Sequence, residues 1–569
     1  MRRLRPRVSA LLPGLLALGL LAGCSAAPSA PRPAPTTLEP PPRYRVVLAR
    51  SPLTDEQRIV HVLNRLGYGP RPGDVERVKR MGLSTWIERQ LEPERVAAGP
   101  LESALAPFPV LGMSAADLYR DYPPPRLQDL QRLQGGEMTP KEIREVFPPD
   151  RRPSAINAQL QAAKITRAIV SERQLQEVMV DFWFNHFNVY ALKGATRWNT
   201  AAYEREAIRP HALGRFRDLV VATAQHPAML FYLDNWLSTR DDLVTPGRGR
   251  RGLNENYARE LMELHTLGVD GGYTQQDVVE LARCFTGWTI DRPQQGGGFV
   301  FRPHAHDRGA KQVLGTVIVM GGGQEDGLAV IRLLSRHPST ARFVSTKLVR
   351  RFVADDPPRA LVERAARTFQ ETDGDIRSVL VAIFTSPEFV SADTYRAKTK
   401  TPLEVVASAV RALDGRLDPP PVNSGGPRAA AGGGGLALAR QVAALGAPLY
   451  EAQPPTGYAD VAEAWVNTGS LLARMNFALA LSQNRITGVH VDLAGPLGDV
   501  DRAKPALVLD RIIAALLHGE ASPRTRQVLG AHLDSPEIVR ATADDRGPRN
   551  TDVEKLAALV LGSPEFQRR

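Results

Sequence analysis

Between Ser51 and the end of the chain, apolar residues return at spacings of three and four positions. The pattern runs through 155–190, 257–268, 275–287, 326–335, 340–353, 359–370, 376–384, 468–482 and 505–518. That period places apolar side chains on one face of a helix, so a strand architecture is excluded for most of the chain. Boundary signals agree. Thr54 with Gln57 three residues on reads as a capping box, and Gly67 as the stop of the same helix. Two short helices are expected over 72–81 and 84–92. Thr401-Pro402-Leu403-Glu404 supplies a cap, a first-turn proline and a third-position acid. Ser-Pro-Glu followed by an apolar residue recurs at 386–389, 535–538 and 563–566, as helix punctuation without chemistry.

Strand-like sequence is confined to 297–323, where two β-branched or aromatic runs flank a polar loop. One small β-hairpin is expected there, near residues 297–320. The expected fold class is therefore mainly α and multi-helical. Its main part covers 51–421, a flexible glycine-rich connection covers 422–435, and a helical C-terminal part, 436–569, packs on the main part.

Residues 1–23 have the build of a secretory signal: four arginines lie in the first seven residues, followed by a short apolar run. That run falls short of the roughly 20 residues a spanning helix needs. Leu21-Ala22-Gly23-Cys24 resembles a bacterial lipobox, which implies cleavage before Cys24 and a lipid on its sulfur. Ser25 follows where an inner-membrane retention signal would favour Asp, so an outer-membrane address is expected. Residues 24–50, rich in Pro and Ala, read as a tether. With Cys24 lipidated, Cys284 is the one remaining cysteine, so stability must come from a core and not from disulfides. Removing the four signal arginines lowers the formal charge from +11 to +7. The remaining charges are interspersed, apart from PGRGRRG at 246–252, so no nucleic-acid partner is expected.

Three stretches could carry chemistry. NENYARELMELHTLG at 254–268 packs acids, an arginine and a histidine into one helix. At about 100° per residue, Asn256, Glu260 and Glu263 share one side, whereas His265 lies on a mostly apolar other side. Met262 stands three residues before His265, so the Glu-x-x-His spacing of di-iron bundles is absent. Taken alone, this helix reads as salt-bridged structure. In QEVMVDFWFNHFNVY at 176–190, His186 shares an apolar stripe with Met179 and Phe182, while Asp181, Asn185 and Asn188 form a polar one. Buried polar groups of this kind need partners. The third stretch is His304-Ala305-His306-Asp307. In an extended segment its two histidines point the same way, a common metal-ligand arrangement, with Asp307 as a third ligand or an orienting group. No serine-nucleophile elbow, P-loop or dinucleotide fingerprint is present.

HVLNRLGYGPRPGDVERV at 61–78, the WF-x-HF run at 183–187, the 254–288 block, HDRGAKQVLG at 306–315 and PPTGY at 454–458 occur in this order. Together they make the chain similar to the bacterial domain-of-unknown-function 1800 family over roughly 55–569. The resemblance implies a largely helical, often exported protein, and it brings no activity with it. Family members are frequently encoded near an exported sulfatase-like family, which makes such a protein a candidate partner. The motif positions that carry over are Asn185, His186, Asn254, Glu255, Asn256, Arg259, Glu260, Glu263, His265, Trp288, His306, Asp307 and Lys311. The Gly/Arg segment before Leu253 and the glycine run at 425–435 depart from the pattern.

Two site readings follow. In the first, the polar residues are a buried network, with Asn185, Asn254, Asn256 and Arg259 as structural members, and the protein is a non-catalytic lipid-tethered binding or assembly module. In the alternative, a metal-assisted hydrolase, His186, His265, His304, His306 and Asp307 hold a divalent metal ion. Glu260 or Glu263 then acts as general base and Lys311 stabilises developing negative charge. A cofactor-dependent redox enzyme is a third reading. Oligomeric state is not encoded in any of these features.

Overall fold

The computed structural model describes residues 43–245, 249–250, 252–420, 433–533, 539–540 and 550–569. Residues 42–569 form one packed unit. Helices dominate it, and every sheet among the described residues is two-stranded and antiparallel. The mainly α reading holds.

The caps act where the sequence places them. Thr54 and Gln57 close a reciprocal box on the helix Asp55–Arg65, which ends just before Gly67. Helices Asp74–Met81 and Leu83–Leu91 follow. Thr401 and Glu404 close another box on Pro402–Ala412. Ser563 caps Pro564–Gln567, and the Ser386 hydroxyl accepts from the Phe389 N–H at 3.2 Å. The third Ser-Pro-Glu copy, at 535–538, lies outside the described residues.

The strands differ from expectation. The two runs around the polar loop do not pair with each other. Phe299–Phe301 pairs with Trp288–Ile290, and Lys311–Val313 pairs with Thr316–Ile318. Two hairpins therefore replace one. The second turns through Leu314 and Gly315, both at positive φ, the geometry of a two-residue hairpin loop.

The C-terminal part is interlocked with the rest. Helix Gly433–Ala444 packs along Pro153–Val170. A Cβ on Gly434 would fall 2.0 Å from the Gly488 carbonyl, so only glycine fits that approach. Gly434 and Gly435, expected as the end of a flexible connection, are instead buried in the first turn of this helix. Residues 421–432 of that connection lie outside the described residues. Arg416–Leu417 pairs with Val489–His490, and Arg569 exchanges backbone hydrogen bonds with Lys398.

Helices Pro153–Val170 and Gln174–His186 run through the centre, and Trp183, Phe187 and Tyr203 there are fully buried. Two helical segments loosen into π geometry: Tyr203–Ile208, and Leu261–Thr266 within the ionisable block. Single π turns of this sort often mark places where a side chain or carbonyl is re-aimed.

Candidate functional site

The block at 254–268 is an α-helix only over Asn256–Glu260; Leu261–Thr266 is π-helical. The Leu267 N–H reaches back five residues to the Met262 carbonyl at 2.8 Å, and the Thr266 hydroxyl reaches the Leu261 carbonyl at 2.6 Å. Gly268, at φ 83°, stops the helix against the Phe343 ring. The His265 carbonyl accepts a hydrogen bond from His186 Nε2 at 3.0 Å. The wheel assumed a uniform 100° step, and the π segment breaks that assumption after Glu260.

The polar residues at the start of this block are structural. The Asn254 side chain accepts from the Asn256 N–H at 2.9 Å and donates to the Asp234 carbonyl at 3.2 Å. Asn256 donates to the Leu233 carbonyl at 3.3 Å. Arg259 pairs with Glu255 at 3.0 Å and donates to Gln275 at 2.9 Å. Glu260 and Glu263 are half-buried neighbours. Burial and the charge of Glu263 push the Glu260 carboxyl above its ordinary range. The Tyr273 hydroxyl donates to Glu263 at 3.4 Å.

His306, Asp307 and Lys311 form a different group. His306 meets the Thr286 carbonyl through Nδ1 at 2.8 Å and Asp326 through Nε2 at 3.1 Å. Lys311, 2% exposed, pairs with Asp326 at 2.6 Å and also donates to the Asp307 carbonyl. Burial alone would raise the Asp307 carboxyl. Its two-point pairing with Arg283, at 2.8 and 3.1 Å, and the Gly309 N–H outweigh burial and hold it below its ordinary range. His304 joins none of this. Pro303–Ala305 is a 3-10 turn, not extended chain, so His304 is exposed while His306 is buried.

Sequence candidates thus gather as His186 with His265, Glu260 with Glu263, and His306 with Asp307 and Lys311. Among the described residues, no three His, Cys, Asp or Glu side chains are grouped to hold a metal ion. The expected ligand set of His186, His265, His304, His306 and Asp307 does not converge. Lys311 is committed to Asp326 and to the Asp307 carbonyl.

A cavity of about 330 Å³ opens elsewhere, between the helices Gln174–His186 and Pro338–Phe352, the start of Pro402–Ala412 and the segment 447–465. Asn185 and Asn188 build one wall. Asn185 accepts from the Tyr458 N–H at 2.7 Å and donates to the Tyr458 carbonyl at 2.8 Å. Asn188 donates to the Ala452 and Pro454 carbonyls, both at 2.9 Å. Gly457 sits at φ 68°, and a Cβ there would fall 2.4 Å from Asn185. The NHF and PPTGY motifs are therefore two halves of one wall. Phe182, Tyr458 and Trp465 make the lining aromatic.

The cavity's cations differ in how they are satisfied. Lys164 pairs with Asp181 at 2.8 Å, and Arg351 with Glu404 at 2.7 Å. Behind Arg351, Arg569 also reaches Glu404 at 3.2 Å. Burial would raise Glu404, but the Arg351 and Arg569 guanidiniums hold it down at about 2. Among the described residues, Arg350 uses only its Nε, on the Asp355 carbonyl at 3.2 Å. Lys347 has no hydrogen bond or ion pair among the described residues; its nitrogen lies 5.4 Å from the Phe343 ring centre. Burial, reinforced by Arg350 and partly offset by Asp460, pushes it down to about 8.

His186 lines the same cavity and is 2% exposed. Because its Nε2 donates to a carbonyl, its Nδ1 carries the lone pair, and that atom has no partner. Burial, then the charge of Lys347, holds the imidazole well below its usual range, so it is neutral.

The family model described as "Protein of unknown function (DUF1800)" matches residues 61–568. The chain belongs to this family. No curated protein and no solved structure matches it. The membership confirms the resemblance of the motifs, and the geometry separates the DUF1800 motif residues into wall-builders (Asn185, His186), a buried network (His306, Lys311) and a half-exposed pair (Glu255, Arg259).

Sequence reasoning missed Lys347, Arg350, Asp460 and Asp326. The first two lie in 340–353, marked only by apolar spacing. Asp326 hides in GGGQEDG, which resembles nothing more than a glycine turn.

Proposed function

We propose that the protein is a non-catalytic, lipid-tethered module of the cell envelope that binds a small organic acid in the cavity beside Lys347. The tether is residues 24–50, and the anchor is a lipid on Cys24, in the outer membrane, which the lipobox-like Leu21-Ala22-Gly23-Cys24 and Ser25 favour. Among the described residues no helix is long and apolar enough to cross a membrane.

One observation carries the binding reading: an ammonium without an internal partner faces an aromatic-lined cavity. Lys347 is half-buried, and a cation against an apolar wall gains from a counter-charge there. Lys164 and Arg351 are matched to Asp181 and Glu404, whereas Lys347 and Arg350 have no carboxylate partner among the described residues. A carboxylate from a ligand would supply the missing partner, with its apolar portion against Tyr458 and Trp465. The metal-assisted reading has no ligand set behind it, since its histidines are divided between separate groups bonded to the His265 and Thr286 carbonyls.

Isothermal calorimetry with a panel of small aromatic and aliphatic carboxylic acids tests the proposal. One-site binding, weakened at least tenfold in Lys347→Met with an unchanged fold, is expected. Equal affinities in both proteins would remove Lys347 from the site and the proposal with it.

A further inference from the structure

We infer that Lys347 captures the carbonyl group of a small keto or aldehyde acid as an imine. The inference rests on the binding reading above and names a narrower ligand class for that site.

Two features of the cavity's cations point this way. Lys347 and Arg350 are three residues apart on the helix Pro338–Phe352, so their side chains leave the same face. Among the described residues they are also the two lining cations without a carboxylate partner, since Lys164 and Arg351 are paired with Asp181 and Glu404. A ligand that used both would carry a carboxylate for the guanidinium, whose planar fork suits that group. Its second, electrophilic function would then meet the amine. A keto or aldehyde acid carries both groups.

The surroundings favour amine chemistry at that second position. Amine nucleophiles are made by desolvation and by neighbouring cations, both of which discourage protonation. The charged and titratable groups facing Lys347 are Arg350 and Arg351 on its own helix, His186, His265, and Asp460, with the Lys164–Asp181 pair lining the same cavity. Only Asp460 among the carboxylates acts directly to keep the ammonium charged, and it is shared with Lys398 at 3.5 Å and more distantly with Arg351 and Arg569. With its titration lowered to about 8, roughly one molecule in ten carries a neutral amine at pH 7, against about one in a few thousand for an ordinary lysine.

The step balances without a redox partner. The amine lone pair forms a C–N bond to the carbonyl carbon, giving a carbinolamine. The carbonyl oxygen then leaves as water, taking the two protons that nitrogen gives up.

The test is reductive trapping. The purified protein is incubated with glyoxylate or pyruvate and cyanoborohydride, and the adduct is located by peptide mass mapping. One saturable adduct on Lys347, forming faster as pH rises through about 8, is expected. Propionate, which has the carboxylate but no carbonyl, should compete. Labelling that spreads over exposed lysines in proportion to their accessibility, or spares Lys347, would overturn the inference. If propionate binds in calorimetry yet Lys347 is never trapped, imine capture fails while acid binding stands. If neither occurs, both fail.

Discussion

The His186 imidazole donates through Nε2 to the main-chain oxygen of His265, 3.0 Å away. That single bond joins two motif segments about eighty positions apart. The π segment and the stop at Gly268 shape the helix end where this carbonyl is met. It also fixes the tautomer, leaving the lone pair on the buried His186 Nδ1.

The buried histidines predict a pH profile. Burial holds His61 and His186 well below the usual range and His226 and His265 at about 3. A folded-state value below the unfolded one means that the unfolded chain binds the proton first. Their contribution is therefore full above about pH 6.5 and falls below it, by about 1.4 kcal/mol per pH unit for each such histidine. Glu204 and Glu404, held at about 2, add losses of the same sign only below about pH 4.5. Denaturant melts between pH 7 and 5 should show stability falling with the histidine slope, and His265→Gln should remove one proton's share of it.

Lys347→Met should leave the fold intact and change stability by less than about 0.5 kcal/mol, because the half-buried ammonium has no ion pair to lose among the described residues. Thermal melts at pH 7 check this. A loss of stability would mean that the ammonium has an internal partner after all.

The wall formed by Asn185 and Tyr458 predicts a sharp response to small changes. Asn185→Ala removes both hydrogen bonds to the Tyr458 backbone and should cost about 2 kcal/mol. Gly457→Ala meets Asn185 at 2.4 Å with φ at 68° and should cost a similar amount. Limited proteolysis should then cut within 447–465 first.

Lys311 and His304 separate a core network from a surface loop. Asp326→Asn leaves the buried Lys311 ammonium without its carboxylate and should cost about 3 kcal/mol or more in urea melts. His304→Ala, at an exposed position, should stay within about 0.5 kcal/mol of the parent. Equal effects would contradict the division.

Much of the fold is legible because it is written locally. Thr54–Gln57 and Thr401–Glu404 carry their own capping partners three residues away, so a reader of sequence finds them. The hairpins were less accessible: which runs pair depends on a turn at Leu314-Gly315, and leucine at positive φ carries no signal. The π segment is invisible for a similar reason, since nothing in LMELHT distinguishes a π turn from an α turn. The site was legible only in halves. NHF and PPTGY stand out as motifs, but their contact spans some 270 positions. Lys347 gains its character from three other elements and looks ordinary within its own helix.

The most direct test of the cavity's role is anomalous diffraction from crystals of the protein soaked in 4-bromobenzoate. Acid binding beside Lys347 predicts a bromine peak inside the cavity bounded by Phe182, Tyr458 and Trp465, with the carboxylate within hydrogen-bond distance of the Lys347 nitrogen. An empty cavity, or a bromine peak whose carboxylate turns away from Lys347, would contradict it.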